Sequence, residues 1–168
     1  MGGTILRTRV MGWHWTVVAM CVPNEERRQY FERCCESLMV RGVALRFQDY
    51  QPGESFSKNN QGQMSAALAD AAGDEKYQWV FTHNRNPGGE YGRHANHAEV
   101  VTLVTDLAKA GKICDGVENV AYACYQQIYR LAGVATAANL NAGHYLQLSY
   151  SELLQKCDWC LRAPDAAT

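Results

Sequence analysis

Apolar and polar residues follow one another along the chain in blocks that predict alternating strands and helices. The run at 15–22 is almost continuously apolar, which is typical of a strand buried on both faces. Asn24 is then a suitable N-cap for a helix, whose apolar stripe lies within 31–39 and which we expect to end at Gly42. The same reasoning predicts strands at 44–50, 77–82 and 117–124, and helices at 63–72, 95–110 and 150–162.

This alternation predicts an α/β fold with a mostly parallel sheet and helices on both of its faces. Its length of 168 residues suits a single domain, 1–168, with a core of useful size. Gly73 and Gly111 stand directly after two predicted helices, where a glycine commonly ends a helix. The segment 129–141 has no clear period, and 163–168 is expected to be a frayed tail.

The most polar stretch of the chain lies between the strand at 77–82 and the helix at 95–110. It reads THNRNPGGEYGRHANH over residues 82–97 and holds three of the five histidines. The pattern is that of a strand, a loop rich in glycine and proline, and the first turn of a helix. Open α/β sheets bind ligands outside the carboxyl ends of their strands, so this stretch is the candidate site.

His94 and His97 are three positions apart, which places both imidazoles on one face of a helix. One of them could coordinate a metal while the other donates a proton or stabilises an oxyanion. Asn84 and Glu90 could orient the two rings. The spacing alone is weak evidence, because a zinc site needs more ligands than two. The other interpretation is a solvated helix turn preceded by ordinary turn residues.

Together, His83-Asn84 and Gly89-Glu90-Tyr91-Gly92-Arg93-His94-x-x-His97 resemble the histidine motif of the PIG-L/LmbE family of zinc-dependent N-acetylglucosaminyl deacetylases. The segments 2–6 and 12–21 are similar to the family's first helix and second strand, so the resemblance covers residues 2–125. It implies that His97 is a zinc ligand and that His94 is catalytic and assists the tetrahedral intermediate. It also implies a set of substrate-binding residues: His83, Asn84, Arg85, Glu90, Tyr91 and Arg93.

The family's other zinc ligands, a His and an Asp, and its Asp base belong to an Ala-His-Pro-Asp-Asp-Glu motif that precedes the Gly2-Gly3-Thr4-Ile5 segment. Residues 1–168 contain no such motif. The resemblance therefore implies a three-layer, Rossmann-like sheet without its first strand, and zinc binding that is weak or absent. It implies an N-deacetylase site for an N-acetylated sugar, such as an N-acetylglucosamine conjugate, that is inactive as a half-site. The alternative is a non-catalytic homologue or a carbohydrate-binding remnant.

Composition narrows the class of partner. The net charge of -1 gives no overall attraction to nucleic acid or to anionic membranes, and no apolar run is long enough for membrane insertion. Seven cysteines without a secretory leader pattern favour a reducing, cytoplasmic setting. Cys157 and Cys160 form a Cys-x-x-Cys pair without a second spaced pair, which leaves their role open. We expect a small-molecule substrate, and a homo-oligomer if unpaired strand edges meet between copies.

Overall fold

A computed structural model of the chain describes residues 2–48, 60–83 and 95–122. They fall into two compact units, one holding 2–48 and the other holding 60–83 and 95–122. Both units combine helices with short parallel strands, which is compatible with an α/β fold. The helices are α1 (Gly2–Val10), α2 (Glu25–Leu38), α3 (Gln61–Ala72) and α4 (Ala95–Lys109), and the strands are β1 (Thr16–Ala19), β2 (Arg41–Ala44), β3 (Val80–Thr82) and β4 (Val120–Tyr122).

In the first unit, β1 and β2 pair in parallel, and α2 connects them as a crossover helix. Its N-cap is Asn24, as the sequence predicts, because the side chain of Asn24 accepts a hydrogen bond from the backbone N–H of Arg27 at 2.9 Å. The helix buries Cys34, Cys35 and Leu38. These side chains supply part of the core of this unit, and the predicted parallel pairing is confirmed here.

The end of α2 differs from the prediction that Gly42 stops the helix. Met39 adopts the left-handed C-cap conformation, with φ 49° and ψ 52°, and its N–H bonds to the carbonyls of Cys35 and Glu36. Gly42 instead lies within β2, opposite Val17. A Cβ at Gly42 would lie 2.6 Å from the Sγ of Cys35, so the glycine lets β2 pass close to α2. The strand expected at 44–50 instead spans Arg41–Ala44, so the predicted bounds are wrong in all but one residue.

In the second unit, β3 and β4 pair in parallel, and α4 connects them. The side chain of Asn60 caps α3, and Gly73, with φ 73°, follows the last residue of that helix, as predicted. The strand expected at 117–124 begins only at Val120, because a 3-10 turn occupies Val117–Asn119. The helix predicted at 95–110 buries four apolar side chains of α4: Val101, Leu103, Val104 and Leu107.

Each crossover places the start of a helix beside the carboxyl end of a strand, which is where the candidate site was expected. Within 2–48, 60–83 and 95–122, no helix has the length and apolar character needed to cross a bilayer. The predictions for 129–141, for 150–162, for the tail and for Cys157 and Cys160 lie outside the described residues.

Candidate functional site

Two predicted site residues meet at the carboxyl end of β3. His83 directly follows that strand, and His97 lies in the first turn of α4. Their imidazole rings are stacked, with centroids 3.9 Å apart and planes inclined by 3°. Although the two residues are 14 positions apart in the sequence, the fold brings them into direct contact. The segment that carries the remaining motif residues therefore begins and ends at this histidine stack.

The geometry of the stack limits what it can do with a metal. The lone pair of an imidazole nitrogen lies in the plane of its ring, so two parallel rings cannot direct lone pairs at one ion. His83 and His97 would share a metal only after one ring had turned. No group of three His, Cys, Asp or Glu side chains within the described ranges is placed to hold a metal. Of the zinc ligands that the resemblance implies, this part of the chain supplies His97.

Thr82, the last residue of β3, is buried directly before His83. Its hydroxyl oxygen has no hydrogen-bond partner in the described part of the chain. A buried hydroxyl left in that state costs about 1–3 kcal/mol of stability. A ligand group that reached this hydroxyl would recover some of that cost. Thr82 is therefore a candidate polar contact at the carboxyl end of β3.

Glu99 lies two residues after His97 and is only 7% exposed. Its Oε1 accepts a hydrogen bond from Nε2 of Gln61 at 3.1 Å, which ties the first turn of α3 to α4. Its Oε2 has no hydrogen-bond partner among residues that the structure describes. Burial raises the pKa of the Glu99 carboxyl, and the Gln61 hydrogen bond opposes that rise. The pair holds the helix that carries His97 against a second helix.

Sequence reasoning did not single out Thr82, Gln61 or Glu99. Glu99 could have been found, because it precedes the buried Leu103 and Leu107 by four and eight positions. That spacing places it on the inward face of the helix, where a carboxylate is unusual. Gln61 carries no comparable pattern, since its contact with Glu99 joins two different helices.

The other predicted site residues lie outside the described ranges. They are the catalytic candidate His94 and the substrate-binding candidates Asn84, Arg85, Glu90, Tyr91 and Arg93. Their assigned roles therefore stay predictions of the resemblance.

Comparison with known proteins finds no family model, no curated protein and no solved structure that matches the chain. The resemblance to the deacetylase family therefore depends on the motif residues themselves. The site adds one observation to them, which is the contact between His83 and His97.

Proposed function

We propose that this chain carries the histidine half of a zinc-dependent N-deacetylase site that acts on an N-acetylated sugar. The observation that supports this most is the stack of His83 on His97 at the carboxyl end of β3. This is the position where sheets of parallel strands bind their ligands. The motif segment 84–94 starts and ends there. A three-layer, Rossmann-like sheet is the fold that this function implies.

The chain's own residues would act by binding and by proton transfer. Zinc, when bound, supplies a polarised acetyl carbonyl and an activated water. His97 would be one of its ligands, and His83 restricts the rotation of the His97 ring by stacking on it. His94 would stabilise the oxyanion or protonate the leaving amine. The hydrogen bond between Gln61 and Glu99 would keep the turn that bears His97 in place.

The substrate would be held by the polar side chains of the loop, which suit the hydroxyls of a sugar. These are Asn84, Arg85, Glu90, Tyr91 and Arg93. We place this activity in the cytoplasm, because the seven cysteines of the chain suit a reducing compartment.

The first test uses the 168-residue chain itself. Elemental analysis after dialysis should find well under one zinc per chain, because one ligand does not make a closed site. Acetate release from N-acetylglucosamine conjugates should be absent, since catalytic groups that act as a unit lose their effect together. Stoichiometric zinc together with acetate release from this chain would contradict the half-site.

The second test adds a strand and an Ala-His-Pro-Asp-Asp-Glu segment ahead of residue 1. The extended chain should bind zinc and hydrolyse the substrate, and His97→Ala should abolish both. His14→Ala is the matched control, because His14 is an exposed histidine of the first unit. If His97→Ala keeps full metal and activity, the assignment of His97 is wrong. Sugar binding by the extended chain without zinc or hydrolysis would favour the carbohydrate-binding remnant.

A further inference from the structure

A group of large apolar side chains is exposed on the first unit, where α1 and α2 end. Val10 is 80% exposed, Met11 65% and Met39 68%, and Trp13 is also exposed. We call these four residues the Trp-Met patch. Single exposed apolar residues are ordinary, but several together mark a surface that contacts something.

The hydrogen bonds of the unit show that these residues are neighbours. The guanidinium of Arg9 donates to the carbonyl of Leu38 at 2.7 Å and to the Sδ of Met39 at 3.6 Å. The end of α1 therefore lies beside the end of α2. Trp13 donates its backbone N–H to the carbonyl of Thr8 at 3.1 Å, which turns the chain back toward α1.

The indoles of Trp13 and Trp15 stack with centroids 6.3 Å apart. The carbonyl of Trp15 accepts a hydrogen bond from the N–H of Arg41 at 3.0 Å. Trp15 and Arg41 stand at the amino ends of β1 and β2. The Trp-Met patch is thus continuous with the amino-end edge of this strand pair.

Met39 combines an exposed side chain with an unfavourable backbone conformation. Its backbone is left-handed, with φ 49°, a conformation that is unfavourable for any residue with a Cβ. A glycine would cap α2 more cheaply. The position instead carries a long apolar side chain that lies largely in water. The side chain of Met39 therefore contributes little to the folded unit, and its apolar surface is available to a partner.

Charge indicates which partner fits the patch. Residues 1–24 contain no Asp or Glu, although the whole chain has a net charge of -1. Arg9 contacts the Sδ of Met39, Arg41 is exposed and bonds to Trp15, and Glu36 is an exposed acidic side chain one turn before Met39. Two arginines and one glutamate of the described residues therefore adjoin the patch, which gives it a local excess of positive charge. An apolar surface with an excess of positive charge is complementary to an anionic partner.

We propose that the Trp-Met patch docks on the surface of an anionic lipid bilayer. Tryptophan settles at the boundary between headgroups and acyl chains, and Val10 and Met11 enter the upper part of the acyl region. Arg41 binds the lipid phosphates, and this attraction falls with added salt. The contact is peripheral, and it is independent of the deacetylase proposal because it uses residues of the other unit.

The test is co-sedimentation of the full chain with vesicles of phosphatidylcholine, with and without phosphatidylglycerol. Binding should require the anionic lipid and weaken as salt rises. Val10→Ser combined with Met11→Ser should weaken it about tenfold, since both side chains lose apolar burial. Arg41→Gln should weaken it about fivefold, as expected of one basic residue at such a surface. Trp79→Ala is the matched control and should leave binding unchanged, because Trp79 is 48% exposed but belongs to the second unit.

Met39→Gly separates binding from folding. It removes an apolar contact with lipid but relieves the left-handed backbone, so the free energy of unfolding should rise while vesicle binding falls. Absent binding, equal binding to neutral vesicles, or unchanged binding in the Val10→Ser/Met11→Ser variant would overturn the proposal. A concentration-dependent dimer in sedimentation velocity that this variant abolishes would also overturn it, and would assign the patch to a second copy.

Discussion

The two crossovers of this protein share one architecture but differ in how they satisfy their polar groups. In each, a parallel strand pair is joined by a helix that starts beside the carboxyl end of the first strand. At the start of α2, Asn24 caps the helix, and Glu25 accepts a 2.6 Å hydrogen bond from Arg28. At the start of α4, His97 stacks on His83, and Glu99 is buried with one oxygen that lacks a hydrogen bond among the described residues.

The pKa values of Glu25 and Glu99 show this difference. The hydrogen bond from Arg28 holds the pKa of Glu25 at about 2, whereas burial raises the pKa of Glu99. A helix start that satisfies its own groups is structural. The crossover at α4 leaves two buried polar atoms without partners among the described residues, one on Glu99 of the helix and one on Thr82 of the preceding strand, and is a candidate for ligand binding. The starts of α2 and α4 have the same topology, and they differ in how their polar side chains are hydrogen-bonded.

The largest expected effect on stability comes from disrupting the close packing of α2 and β2 in the first crossover. Gly42→Ala places a Cβ 2.6 Å from the Sγ of Cys35 and 3.1 Å from a ring carbon of Phe31, so α2 and β2 must move apart. The free energy of unfolding should fall by about 1–3 kcal/mol in urea titrations. Adding Cys35→Ala should recover part of that loss, because it removes the obstructing sulfur. An unchanged Gly42→Ala protein would mean that close approach does not explain this glycine.

The next effect compares helix caps across the units. Asn24→Ala and Asn60→Ala each remove a side chain that accepts from the helix backbone, at 2.9 Å and 3.0 Å. Each should lower the free energy of unfolding by about 1 kcal/mol. Equal losses would show that capping is not what distinguishes the two units. Serine at either position should retain most of the stability, and a Ser variant as unstable as the Ala variant would contradict the capping role.

A smaller effect concerns the buried carboxylate. Because the pKa of Glu99 is raised in the folded protein, its contribution is most favourable below the unfolded pKa and is lost as pH rises through the folded pKa. Glu99→Gln removes that loss. It should be more stable than the parent at pH 7 by up to about 1 kcal/mol and show no gain at pH 3. Urea midpoints at both pH values check this. A Gln variant that is less stable at pH 7 would mean that the charge itself is stabilised.

The smallest effect concerns the exposed ion pair of the first crossover. The pKa of Glu25 is lowered, so its contribution is present above the ordinary value of 4.5 and is lost as pH falls toward about 2. Because the pair is in water, the change in stability should be slight. Arg28→Gln should return the pKa of Glu25 toward its ordinary value in an NMR titration of the carboxyl group. Arg27→Gln is the control and should leave that pKa in place.

Features set by neighbouring residues could be predicted from the sequence. Asn24 as a cap and Gly73 and Gly111 as helix ends follow from local geometry, and the parallel pairing follows from the alternation of elements. Gly42 was misassigned because a glycine serves equally for a left-handed turn and for close approach to another element. Only the position of Cys35 decides between them, and that is a tertiary contact.

The location of the candidate site could be predicted from the sequence, but the orientation of its side chains could not. The sequence predicted a strand, a loop and the first turn of a helix over residues 82–97, and within that stretch the structure brings His83 and His97 into contact. Their parallel orientation depends on tertiary packing and has no counterpart in the sequence. The position of Arg9 beside Met39 could not be predicted either, because a net charge of -1 does not show where the charges lie.

The parallel stack of His83 and His97 gives the site a spectroscopic reporter of its own. At a centroid separation of 3.9 Å, the circulating π electrons of each ring shield the carbon-bound protons of the other. In a proton spectrum these resonances should therefore lie upfield of those of the exposed His14. A group that inserts between the rings, or a metal that turns one of them, would move both sets downfield together. Occupancy of the site can thus be followed without measuring turnover.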